Sequence, residues 1–140
     1  MMNLPPDVAT ITAALLQGIQ TALGDDLVGL YLHGSLATGN FDPATSDIDF
    51  FAITARPITA PQFAALAALH QQLAAFPHPY GNHLEGPYIE LDAARRFVPN
   101  QHYPAIQRGE ALAWVTHGTN WILERFVVVS VAASRLGGVR

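Results

Sequence analysis

Two aspartates separated by one residue form the pattern in this sequence that is best suited to chemistry. Asp47 and Asp49 lie in residues 47–54 (DIDFFAIT), whose apolar residues predict a β-strand. Because side chains alternate along a strand, both carboxylates lie on one face, about 6.6 Å apart along the backbone. Carboxylate oxygens suit Mg²⁺, so the pair is a candidate site for one or two ions that assist phosphoryl or nucleotidyl transfer.

A glycine and a serine upstream of this strand form a candidate phosphate site. Gly34 and Ser35 follow the apolar run 27–33 (LVGLYLH), which predicts a buried strand. A glycine at the end of a strand lets the backbone approach a ligand, and the serine hydroxyl and backbone N–H groups can donate to phosphate oxygens. The sequence contains no lysine, which excludes a Walker-type P-loop.

A third carboxylate would complete a metal site or accept a proton from an attacking hydroxyl. Residues 84–91 (LEGPYIEL) predict another strand, and this strand carries Glu85 and Glu90. Alternation places these two side chains on opposite faces, so at most one of them faces Asp47 and Asp49. Pro87 within the run indicates an edge strand or a bulge.

The composition narrows the class of protein. The 140 residues are 50% hydrophobic, which predicts one domain with a substantial core. The net charge of -4 argues against a nucleic-acid partner bound through its phosphates. The absence of cysteine excludes disulfides and fits a reducing cytosol. We find neither a signal-peptide pattern nor an apolar run long enough to span a membrane, so we expect a cytoplasmic protein without membrane contact.

The remaining elements supply the framework that must position these residues. Apolar residues at helical spacing predict helices over 5–23 and 60–75. Thr59 and Gln62 have the spacing of a capping box at the start of the second helix. His70 lies at the flank of that helix, where we expect a surface or half-buried residue. Later segments predict a helical turn (92–97), an exposed loop (98–110), a short strand (111–117), a helix (120–125) and a strand (126–131).

These elements predict an α/β or α+β two-layer fold. We expect a mixed sheet of four or five strands, with the helices over 5–23 and 60–75 covering one face. The face that carries Asp47 and Asp49 should then be open to a ligand.

The motifs resemble those of a known superfamily. His33-Gly34-Ser35 followed by Ser46-Asp47-Ile48-Asp49 resembles the nucleotidyltransferase superfamily that includes DNA polymerase β. The longer string LYLHGSLATGNFDPATSDIDFFA is similar to the aminoglycoside (streptomycin/spectinomycin-type) adenylyltransferases, and a weaker similarity continues through LEGPYIELDAARR and HGTNWILER. The resemblance implies the nucleotidyltransferase fold and Mg²⁺-dependent transfer of AMP from ATP to a hydroxyl acceptor, with an aminoglycoside antibiotic as the acceptor.

The resemblance also implies roles for individual residues. Gly34 and Ser35 would hold the β- and γ-phosphates of ATP, with Ser46 assisting. Asp47 and Asp49 would bind Mg²⁺.

The family's third carboxylate lies in a later strand and acts as base and metal ligand. Glu85 matches that position best, with Glu90 as the alternative. The family's enzymes continue into a C-terminal helical domain, whereas here we expect a single nucleotidyltransferase domain over residues 1–140.

Two further hypotheses follow from that difference. Small nucleotidyltransferase domains resemble antitoxins that adenylylate a tyrosine of a partner toxin, so the acceptor would then be a protein. Alternatively, a truncated and inactive domain would bind nucleotide or form a homodimer through the apolar stretch 122–133.

Overall fold

The computed structural model describes residues 5–33, 47–75, 80–95, 102–116 and 128–133. The predicted helix over 120–125 lies outside these residues. The described elements, in chain order, are α1 (Pro6–Leu23), a 3₁₀ turn (Gly24–Asp26), β1 (Leu27–His33), β2 (Ile48–Thr54), α2 (Ala60–Ala75), β3 (Leu84–Glu90), α3 (Leu91–Arg95), β4 (His102–Ile106), β5 (Ala113–Thr116) and β6 (Val128–Ala133).

The strands form a mixed sheet in the order β5-β4-β3-β2-β1-β6. Strands β2 and β3 are parallel, and the other neighbours are antiparallel. The predicted mixed sheet with helices is therefore confirmed. It has six strands rather than four or five, because residues 102–106, which were expected in a loop, form the additional strand β4.

Helices α1 and α2 cover one face of this sheet, as predicted. Their apolar residues pack against alternate residues of β1, β2 and β3 in one core, whose fully buried members include Val8, Ile11, Leu15, Ile19, Leu30, Leu32, Ile48, Phe50 and Leu66. A second cluster on the opposite face contains Val28, Phe51, Ile53, Ile89, Ala93 and Tyr103. The side chains of β2 therefore divide between two faces, as the alternation of a strand requires.

Local signals in the sequence set the start of α2. The backbone N–H of Thr59 donates to Gln62 Oε1 (3.0 Å), and the N–H of Gln62 donates to Thr59 Oγ1 (3.2 Å). This reciprocal pair is the predicted capping box, and it satisfies two N–H groups at the first turn of the helix.

His70 in the same helix was expected at the surface or half-buried, and this expectation is wrong. Its side chain is only 4% exposed, and its Nε2 lies 2.6 Å from the hydroxyl of Tyr88. The tyrosine, fully buried in β3, supplies the polar partner that makes burial of the histidine possible.

Two further predictions require correction. Residues 98–110 were expected to be an exposed loop, but His102–Ile106 form β4, which is paired with β3 and β5. Pro87 was expected to mark an edge strand or a bulge. The edge alternative is wrong, because β3 lies inside the sheet between β2 and β4. The register of β2 with β3 pairs Asp49 with Glu85 and resumes three residues later. The proline, which lacks an N–H, lies in that interval.

The helices in the described ranges are all too short or too polar to cross a bilayer.

Candidate functional site

Asp47 immediately precedes β2 and Asp49 is its second residue, on the sheet face opposite the helices. Their neighbours Ile48 and Phe50 are fully buried in the core beneath α1 and α2, which directs the two aspartates to the other side. Both aspartates are half-buried. The buried neighbours Ile48 and Phe50 thus anchor the strand and fix the orientation of the carboxylates.

Glu85 lies level with Asp49 on the adjacent strand. The register of the parallel strands β2 and β3 pairs Asp49 directly with Glu85. Directly paired residues on neighbouring strands share a face and lie about 5 Å apart. The structure therefore brings Glu85 to the two aspartates.

Glu90 lies elsewhere in the sheet. It is paired with Thr54 at the far end of β2, and the odd separation from Glu85 turns its side chain to the other face. Five residues of a strand span about 16 Å. Of the two candidate carboxylates, only Glu85 is near the aspartate pair.

Arg108 also belongs to this cluster, and the sequence alone did not identify it. Its Nη1 lies 3.1 Å from Asp47 Oδ1, and its backbone N–H donates to Glu85 Oε2 over 3.4 Å. Its Nη2 lies 3.2 Å from Nε2 of His83. Because a guanidinium only donates hydrogen bonds, that ring nitrogen of His83 must be the acceptor. One arginine thus connects both carboxylate-bearing strands.

The turn between β4 and β5 positions Arg108. Gly109 has a φ of 78°, a conformation that glycine adopts readily. Its N–H donates to the carbonyl of Asn82 (3.2 Å), and the N–H of Glu110 donates to the carbonyl of Gln107 (3.0 Å). A glycine between two strands indicates a turn, but the position of Arg108 beside Glu85 depends on the pairing of β4 with β3.

The donor atoms at this site fit a divalent cation. Asp47 Oδ1 is buried and accepts no hydrogen bond. Its contact with Arg108 is an ion pair that lacks hydrogen-bond geometry. Across the described ranges, no three acidic or histidine side chains converge as a closed metal cage would require. Mg²⁺ needs no such cage, since proteins usually bind it through one or two carboxylates together with substrate phosphates.

The predicted phosphate-binding residues Gly34, Ser35 and Ser46 lie outside the described residues, so their roles remain predictions. Strand β1 ends at His33, whose partner in β2 is Asp49. Gly34 follows His33 in the chain, so the predicted phosphate motif begins one residue after the position paired with Asp49.

Comparison with known proteins agrees with this arrangement. The sequence model of the nucleotidyltransferase domain matches residues 15–85. The fold is similar to that of the spectinomycin adenyltransferase AAD(9) from Enterococcus faecialis, whose crystal structure contains ATP and spectinomycin. The TM-score is 0.68 at 13% sequence identity, and the match covers 89% of this chain. The chain spans 56% of the length of that enzyme.

Proposed function

The chain belongs to the nucleotidyltransferase domain family, and on this premise we propose that it transfers AMP from ATP to a hydroxyl group in a Mg²⁺-dependent reaction. The observation that carries the proposal is the pairing of Asp49 with Glu85 across β2 and β3, with Asp47 two residues away on the same face. Three carboxylates lie on one face beside apolar residues that hold them in place. A site for metal-assisted transfer explains this arrangement better than a solvent-exposed acidic surface does.

Asp47 and Asp49 would hold the metal. The bound Mg²⁺ would neutralise charge on the phosphates. The backbone N–H of Gly34 and the hydroxyl of Ser35 would donate to phosphate oxygens, with Ser46 assisting.

Glu85 would act as the general base. It accepts the proton of the acceptor hydroxyl while the hydroxyl oxygen forms a bond to the α-phosphorus of ATP. The bond between that phosphorus and the bridging oxygen breaks, and pyrophosphate leaves with the bonding electrons. The half-buried position of Glu85 beside Asp49 supports this assignment, whereas Glu90 at the other end of the strand has no access to the same reactants.

The acceptor we propose is a hydroxyl of an aminoglycoside or aminocyclitol antibiotic. The support is the structural similarity to an enzyme that was crystallised with ATP and spectinomycin, together with the motif similarity over residues 27–125. The cytoplasm supplies ATP, so we propose that the reaction takes place there.

Incubation of the full chain with α-labelled ATP, Mg²⁺ and a panel of aminoglycosides tests the proposal. Label on an antibiotic is the expected result, and Asp49→Asn should abolish it because the variant loses one charged metal ligand. Transfer that persists in Asp49→Asn would contradict the assigned site. Label on a co-purified protein would favour the antitoxin hypothesis, and ATP binding without any transfer would favour an inactive nucleotide-binding module.

A further inference from the structure

We propose that Arg108 competes with the divalent cation for Asp47 and, once displaced, binds the phosphates of the nucleotide. This inference rests on the proposed function, since it concerns the same metal and the same nucleotide. It adds a nucleotide-binding residue that lies 59 positions beyond Asp49 in the sequence, in a turn outside the motifs that suggested the site.

Competition follows from the atoms that the two cations would share. Arg108 Nη1 lies 3.1 Å from Asp47 Oδ1, which is otherwise buried and accepts no hydrogen bond. A Mg²⁺ ligand oxygen lies about 2.1 Å from the ion. An arginine and a divalent cation at the same oxygen would repel each other strongly, so metal binding through Asp47 requires the guanidinium to move away.

The turn that carries Arg108 is built so that the side chain can move while the backbone stays in place. The backbone of Arg108 donates to Glu85, and that of Gly109 donates to Asn82, so the turn is fixed to the start of β3 independently of the guanidinium. The side chain of Arg108 is 42% exposed. Rotation about its side-chain bonds therefore needs no rearrangement of the sheet.

A displaced guanidinium at this position would lie beside the transferring phosphates. Arginine is well suited to phosphate because its planar group donates several charge-assisted hydrogen bonds. The sequence has no lysine, so arginine is the side chain that can supply this charge. Arg56, the other arginine whose side chain the structure describes, is paired with Asp26 at the far end of β2.

Calorimetry on the full chain tests the proposal without any measurement of turnover. Mn²⁺ is titrated as the metal probe in the absence of nucleotide, and MgATP is titrated separately. Arg108→Gln should bind Mn²⁺ about threefold more tightly, because a partly exposed ion pair with Asp47 no longer opposes the metal. The same variant should bind MgATP about tenfold more weakly, because a charge-assisted hydrogen bond to phosphate is lost.

Arg56→Gln is the matched control and should leave both affinities unchanged. Arg108→Lys retains the charge, so its Mn²⁺ affinity should stay near that of the unmodified chain. Mn²⁺ affinity that is unchanged or weaker in Arg108→Gln would overturn the competition, and unchanged MgATP affinity would overturn the phosphate contact. If the unmodified chain binds Mn²⁺ and MgATP but the variants match it, this inference fails and the proposed function stands. If the unmodified chain binds neither ligand, both fail.

Discussion

The stability of the fold should decrease when the pH is lowered through the range in which His70 takes up a proton in the unfolded chain. His70 lies between α2 and the sheet, hydrogen-bonded to Tyr88 and stacked on Phe50 with ring centroids 6.1 Å apart. Burial lowers the pKa of His70 from 6.5 to about 4, because a charged imidazole loses its hydration there.

The direction and size of the effect follow from this depressed pKa. Between about pH 6.5 and 4 the unfolded chain binds a proton at His70 that the folded chain does not, so falling pH favours unfolding. The contribution of His70 to the free energy of unfolding is fully present above the pKa of the unfolded chain, and it is lost as the pH falls through the pKa of the folded chain. At about 1.4 kcal/mol per pKa unit, the free energy of unfolding should fall by about 2 kcal/mol between pH 6.5 and 5, and by about 3 kcal/mol by pH 4.

Urea denaturation at pH 7, 6 and 5, followed by circular dichroism, measures this effect. His70→Gln removes the titrating group and retains a polar partner for Tyr88, so the difference from the unmodified chain isolates the contribution of the histidine. His102→Gln is the matched control, because His102 is exposed on β4. A His70→Gln variant with the same pH dependence as the unmodified chain would refute the reasoning.

Two substitutions test the local geometry around the site and the helix behind it. In Gly86→Ala the added Cβ would overlap the carbonyl oxygen of Phe50. We expect overpacking to lower the free energy of unfolding by about 1–3 kcal/mol. Nucleotidyl transfer should also become slower because Glu85 is displaced. Thermal unfolding that matches the unmodified chain would contradict this packing. Thr59→Ala removes one half of the capping box with Gln62 and should cost about 1 kcal/mol in urea denaturation, and an unchanged midpoint would show that the cap contributes nothing.

Elements with strong local signals were predictable from the sequence. Strand β1 was expected over residues 27–33 and is observed as Leu27–His33, because a continuous apolar run bounded by turn residues has few alternatives. The helix α2 was expected over 60–75 and is observed as Ala60–Ala75. Its capping box and apolar spacing are properties of neighbouring residues, so they can be read without knowledge of the tertiary fold.

Strand β4 could not be predicted in this way. Its five residues His102–Ile106 include Pro104, and they lack a clear alternation of apolar and polar residues. Their conformation depends on pairing with β3 on one side and β5 on the other. The same long-range pairing brings Arg108 to Glu85, which explains why the sequence motifs identified the carboxylates and missed the arginine.

The choice between Glu85 and Glu90 was likewise a question of register. Alternation showed that the two side chains lie on opposite faces, but only the alignment of β2 with β3 shows which of them is level with Asp49. The burial of His70 depended on Tyr88, 18 residues later in the chain. In each of these cases the deciding contact joins residues that are distant in sequence.

The most direct test of the central claim compares the rates of AMP transfer from α-labelled ATP in Glu85→Gln and Glu90→Gln, measured side by side on the full chain. Both variants lose one carboxylate from the same strand, so they are matched in chemistry and differ in position. If Glu85 acts with Asp47 and Asp49, Glu85→Gln should reduce the rate about 100-fold or more, whereas Glu90→Gln should retain the rate of the unmodified chain. Equal rates in the two variants, or a larger loss in Glu90→Gln, would contradict the account.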